Sequence, residues 1–233
     1  MKETIQTLHR DEILTLIIFT FTYLAYYFSY EYKWVGKLAA KHRDTGNRKE
    51  FAIHIPRFIG FMLLGVIPLI IATIFYSKPA SEYGFAFICG KNSLAISLVS
   101  IAIFLLVGIL RSGKGIDTSY YPQVRIPAWN RRSQILNILS WVLYLLGYEF
   151  MLRGLMFFTC LHAFGLIPAI IINSVIYSLI HIFKGKGEAF GAFFLGIVFC
   201  LLAYYTNSFL LPFILHVILA VGNDFKAIKA SKQ

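Results

Sequence analysis

FIGFMLLGVIPLIIATIFY, residues 58–76, carries no charged side chain. As a helix rising about 1.5 Å per residue it reaches about 28 Å, close to the thickness of a bilayer's hydrocarbon core. A helix apolar on every side has no face to offer water, whereas in lipid it satisfies its own backbone and leaves its side chains in hydrocarbon. The stretch therefore predicts a membrane-spanning helix. Similar apolar runs cover Ile13–Tyr30, Leu94–Leu110, about Ser133–His162, Leu166–Phe183, Phe190–Tyr205 and Phe209–Gly222. The expectation is an all-α polytopic transmembrane helical bundle of about seven spans, with six and eight as the neighbouring counts. Composition agrees: 58% of the 233 residues are hydrophobic and 14% charged, against about 25% charged in a soluble domain.

Lysine and arginine in short loops set the orientation. Lys33, Lys37, Lys41, Arg43, Arg48 and Lys49 follow the first span, and Arg111, Lys114, Arg125, Arg131 and Arg132 follow the third. Lys184 and Lys186 follow the fifth, and Lys226, Lys229 and Lys232 lie in the tail. Seven spans place all four segments on one side, read as cytoplasmic. The opposite loops hold Lys78 and Lys91, with nothing charged around Gly165 or Asn207. The net charge of +11 thus reads as topology signals facing anionic lipid. No nucleic-acid motif accompanies it. The size and charge pattern point to a bacterial plasma membrane.

The first apolar run exceeds the 7–15 residues of a signal-peptide core and no small-residue cleavage site follows, so it reads as a retained span. No repeat or low-complexity linker divides the chain. It reads as one integral domain, with residues 1–132 supplying N-terminal helices and basic loops and 133–233 a distinct core. Cys89, Cys160 and Cys200 show neither CxxC nor metal-ligand spacing and read as small buried hydrophobes.

Ionisable residues inside the spans are costly, about 2.5–3.5 kcal/mol each at mid-bilayer on insertion scales, so each calls for a partner or a task. They are Glu149, Arg153, His162, His181 and His216, with Glu188 and Asp224 at the mouths of the last two spans. Glu149 and Arg153 are four apart and share a helix face. The run from Ser133 is too long for one crossing, so its first residues, with Gln134 and Asn137, are placed at or outside the cytoplasmic face. Glu149 then falls in the inner half of the membrane, at a depth similar to His181 and His216. Plainer readings exist for most of these. Glu149–Arg153 is a structural ion pair, His54 and His162 are interhelical hydrogen-bonding groups, and Glu188 is a helix N-terminal acid. Asp224 is a juxtamembrane surface charge, and Gly187 and Gly191, at GxxxG spacing, mark close helix packing.

Three motifs bind the polar set together: Tyr148-Glu149-x-x-x-Arg153, Tyr177-x-x-x-His181 and His216-x-x-x-Ala220. In order and spacing, residues from about Leu146 to Phe225 resemble the CPBP family of intramembrane proteases, also called the Abi or type II CAAX prenyl protease family. Its motifs are EExxxR, FxxxH and HxxxN. The resemblance implies a membrane-embedded endopeptidase, open to the cytoplasm, that hydrolyses a peptide bond in a membrane-associated peptide or protein with a Glu/His-activated water. It implies catalytic roles for His181 and His216 and aligns Glu149 with the glutamate that pairs with the arginine, here Arg153; the candidate site is then Glu149, His181 and His216, with Arg153, Tyr148 and Asp224 supporting. A divalent metal such as zinc on His181 and His216 stays open. Two positions depart from the pattern: Tyr148 stands where the first glutamate is expected, and Ala220 where the asparagine is. Glu188, across a Lys-Gly-Lys-Gly turn from His181, is the candidate replacement carboxylate, or Glu149 serves as base itself. The alternative is a catalytically silent relative acting as a regulator or bacteriocin-immunity factor. A small transporter is disfavoured, since neither paired broken helices nor an inverted repeat is present.

Overall fold

The computed structural model describes residues 10–41, 44–76, 78–88, 90–110 and 120–230, and among them the chain is helical with no strand. Cys89, Arg43, Arg111, Lys114 and Lys232 lie outside the described residues. Helix α1 is Arg10–Phe28, continued by a 3-10 turn over Ser29–Glu31, and α2 is the short Lys33–Ala40. Then follow α3 Thr45–Phe75, α4 Lys91–Leu110, α5 Arg131–Phe164, α6 Leu166–Leu179, α7 Lys186–Thr206 and α8 Leu210–Ala230. Six of these, α1, α3, α4, α5, α7 and α8, are long and apolar enough to cross a membrane. The remaining expected span, α6, has 14 helical residues.

The loops sort as the charge pattern requires. Ser208 Oγ donates to the Ala86 carbonyl at 2.5 Å, and the Phe209 amide to that of Gly84 at 3.2 Å. His162 at the end of α5 lies 3.9 Å from Glu82, and the Tyr83 hydroxyl donates to Asp11 at the start of α1 at 2.8 Å. The α3–α4 loop, the end of α5, the α7–α8 turn and the start of α1 therefore share one side. Sharp ends separate the helices. Asn130 caps α5 by accepting the Ser133 amide at 2.9 Å, Asn207, with φ of 50°, ends α7 in the left-handed conformation, and Gly165 breaks α5 from α6 with a φ of 82°.

α5 is one helix of 34 residues, about 51 Å long. Near its N-terminal end Asn137 is 1% exposed and packed inside the bundle. A π turn over Phe150–Met156 interrupts α5, and a second over Met62–Val66 interrupts α3. A π turn shifts the register of the side chains that follow and loosens a backbone carbonyl. Asn173 of α6 takes one up, donating to the Leu152 carbonyl at 2.6 Å. Beside these turns α3 and α5 cross backbone to backbone. A Cβ placed on Gly147 would meet the Gly65 amide nitrogen and the Phe61 carbonyl oxygen at 3.0 Å. The close helix contact is made here and not at Gly187 and Gly191. Neither of those has any atom within 4 Å of a built Cβ, and both line a cavity. Their GxxxG spacing leaves room instead of closing it.

Candidate active site

The cavity, about 870 Å³, lies among α1, α3, α4, α5, α6, α7 and α8. Its lining includes Tyr30 at the end of α1, Val107 near the end of α4, Lys184 and Asn223. These residues adjoin the four basic segments, so the opening faces the basic side of the bundle.

Two imidazoles sit on the lining. His216 of α8 directs Nδ1 at Glu149 Oε1, 2.5 Å away. His181, just beyond α6, directs Nδ1 at its own helix's Tyr177 carbonyl, 2.8 Å away. A carbonyl accepts only, so the His181 proton must sit on Nδ1; an ionised Glu149 imposes the same tautomer on His216. Both Nε2 atoms are left as uncommitted acceptors, with no hydrogen bond to the described residues. The rings flank Tyr177, whose centroid is 4.5 Å from His181 and 6.2 Å from His216.

Glu149 does not line the cavity. It is fully buried behind His216, with Arg153 Nη1 at 3.2 Å from Oε1 and 3.1 Å from Oε2. Arg153 is fully buried too, its guanidinium 3.9 Å from the Tyr177 ring centroid and 5.2 Å from that of Phe199. Rings of this kind stabilise a cation that has few water partners. The pair is thus charge-balanced, and the carboxylate stays tied to Arg153 while accepting from His216. Tyr148, one residue earlier, does reach the lining, its ring 5.7 Å from His216. Ala220, in the expected asparagine position, lines the cavity as well.

Glu188 is half-buried and is the one carboxylate on the lining among the described residues. Gly185, with φ of 99°, turns the chain into α7 and brings Glu188 round to the mouth near Lys184. Burial pushes the Tyr121 phenol at this mouth up to about 12, with Glu188 adding to the rise.

Asp224 is not a surface charge. It is fully buried, accepts from Asn137 Nδ2 at 2.8 Å and Trp141 Nε1 at 2.7 Å, and lies 3.9 Å from Arg57 Nη2. The reason is Arg57, which sequence reasoning missed. It is 1% exposed, stacks 3.9 Å over the Trp141 ring, and donates to Asn137 Oδ1, Ser140 Oγ and Gln123 Oε1. Its signal was a lone arginine directly before the uncharged stretch 58–76. Also missed was an aromatic wall. Tyr23, Tyr26, Tyr27 and Tyr30 of α1 line the cavity, joined by Tyr144 of α5 and by Tyr120 and Tyr121 of the preceding loop. Here the signal was four tyrosines at i, i+3, i+4 and i+7 in an apolar span.

Cys160 and Cys200 are buried and unpaired, as small hydrophobes, though Cys200 also donates to Asn173 Oδ1 at 3.2 Å. A catalytic zinc takes three protein donors. Among the described residues no group of three or more His, Cys, Asp or Glu side chains is placed to hold a metal. The two imidazole nitrogens on the lining fall short of that set.

The geometry brings the three motifs onto one cavity. Over residues 131–221 the chain matches the type II CAAX prenyl endopeptidase Rce1-like family. The family resemblance is thereby shown over the segment that carries all three motifs, within a chain whose described residues include six helices long and apolar enough to cross a membrane. No curated protein and no solved structure matches it. The match begins at the first residue of α5 and ends inside α8, so α1, α3 and α4, which complete the cavity wall, lie outside it.

Proposed function

We propose that the chain is an intramembrane endopeptidase that hydrolyses a peptide bond in a membrane-associated peptide or protein, with its cavity open to the cytoplasm. The observation that carries this is the pair of cavity-lining imidazoles, each fixed through Nδ1 and each with Nε2 uncommitted. A water that donates to both nitrogens is oriented before reaction. His216 then removes a proton as the water oxygen attacks the substrate carbonyl. Glu149 holds the ring and stabilises the imidazolium, the role a buried carboxylate plays behind a catalytic histidine. The imidazolium returns that proton to the departing amine nitrogen as the C–N bond breaks. Tyr148 supplies a hydroxyl donor beside His216 for the developing oxyanion, so the residue that displaces the expected base serves as an electrophile. Glu188 is the alternative proton acceptor on the same wall.

The test is cleavage of a membrane-associated peptide library by the protein reconstituted in proteoliposomes. His216→Ala and His181→Ala are each expected to lower turnover at least about 10²-fold. Cleavage undiminished in both variants would take the catalytic role away from the two imidazoles, and no cleavage by the unaltered protein would leave the fold with an interaction role.

A further inference from the structure

The face of α1 that carries Tyr23, Tyr26, Tyr27 and Tyr30 has no counterpart in the matched segment, yet it forms one side of the cavity. Interfacial tyrosines of membrane helices usually turn toward headgroups. Here Tyr26 is 8% exposed and stacks on Tyr144 with centroids 5.0 Å apart. From Tyr144 the rings continue to Tyr148 at 5.5 Å, and from Tyr148 to His216 at 5.7 Å. An unbroken aromatic track therefore leads from α1 to the imidazoles.

The hydroxyls along α1 divide into two kinds. Those of Tyr26 and Tyr30 bond each other at 3.3 Å. Tyr23 and Tyr27 line the cavity, and their hydroxyls have no hydrogen bond to any described residue. A phenol in a low-dielectric wall gains from a polar partner and loses where it has none. Inside a membrane, the main chain of an unwound peptide has the opposite need, because its carbonyls have lost their helical donors. Tyr23 to Tyr30 spans about 10 Å of helix, the length of about three residues of extended chain.

We propose that this face of α1 is the substrate-docking wall of the cavity, holding an extended peptide by hydrogen bonds from the Tyr23 and Tyr27 hydroxyls to its main-chain carbonyls. This rests on reading the cavity as a peptidase site, and it makes the N-terminal helix a recognition element that the family segment lacks. The wall binds main chain, so it tolerates varied side chains while requiring the segment to be unwound.

The experiment measures binding separately from cleavage. A short fluorescein-labelled Ala/Leu peptide, and its analogue with alternate amides replaced by esters, are titrated onto proteoliposomes of His216→Ala protein. The same background carrying Tyr23→Phe and Tyr27→Phe is titrated in parallel. Esters accept hydrogen bonds more weakly than amides. The expected result is that the amide peptide binds the tyrosine protein at least fivefold tighter than the ester, and that the preference disappears in the double Phe variant. Equal preference in both proteins, or no measurable binding to the tyrosine protein, overturns the docking wall. Neither outcome bears on whether His216 is required for cleavage, which the turnover assay reads alone.

Discussion

Glu149 Oε1 and His216 Nδ1 stand 2.5 Å apart although 67 positions separate them in sequence. The contact joins α5 to α8 and ties a charge-balanced Glu149–Arg153 pair to a cavity-lining imidazole. One carboxylate thus serves two neighbours, and its loss should be felt in both stability and turnover.

Glu149→Gln keeps the shape but leaves Arg153 without its counter-ion. Unpairing a buried charge costs about 3–5 kcal/mol, so thermal unfolding in detergent should shift down strongly. The double variant Glu149→Gln/Arg153→Met removes the orphaned charge and should recover much of that stability, while turnover stays at least about 10²-fold low. Full recovery of cleavage in the double variant would show that Glu149 has no role beyond pairing.

Tyr148→Phe separates the two possible meanings of the tyrosine. Removing one oxyanion donor costs about 10²–10³ in turnover, and the phenyl ring preserves the packing against Tyr144 and Tyr177. The expected change is in kcat, with KM nearly constant. A variant as active as the parent would reduce Tyr148 to a packing residue.

Glu188→Gln weighs the only cavity carboxylate among the described residues against His216 as proton acceptor. With His216 as base, the variant should lose less than about tenfold, against at least about 10²-fold for His216→Ala. The reverse order of effects would move the base to Glu188. His162→Ala serves as the control, because His162 lies beside Glu82 on the opposite side of the bundle.

Glycines give a stability test of the helix contacts. Gly147→Ala drives a methyl into the Gly65 and Phe61 backbone and should cost about 1–3 kcal/mol. Gly191→Ala meets nothing within 4 Å and should stay within about 0.5 kcal/mol of the parent or stabilise α7 slightly. Melting curves of the two variants in the same detergent read the difference.

Asp224→Ala strands Arg57 in the same manner as Glu149→Gln strands Arg153, and also removes the acceptor of Asn137 and Trp141. A loss of about 3–5 kcal/mol is expected. An unchanged melting temperature would return Asp224 to the surface role that its position at the end of an apolar run suggested.

By itself the sequence determined the solvent, the helical class and the sidedness pattern, because apolar length and basic-loop placement act through composition alone. The three motifs also carried the family resemblance, since family spacing is recorded along the chain. What each residue faces was decided only in three dimensions. Asp224 read as a juxtamembrane surface charge, yet it is buried together with Asn137, because Arg57, 80 positions from Asn137, draws both in. Glu149 and Glu188 are both carboxylates of the core segment, but the α5–α8 contact consumes the first while the turn at Gly185 opens the second to the cavity. Gly187 and Gly191 read as a packing motif until the cavity beside them gave their missing side chains another meaning. For Asn137, Asp224 and Glu149 the deciding neighbour comes from a different helix, and helix–helix contacts in a bilayer depend on interdigitating surfaces that no single segment encodes.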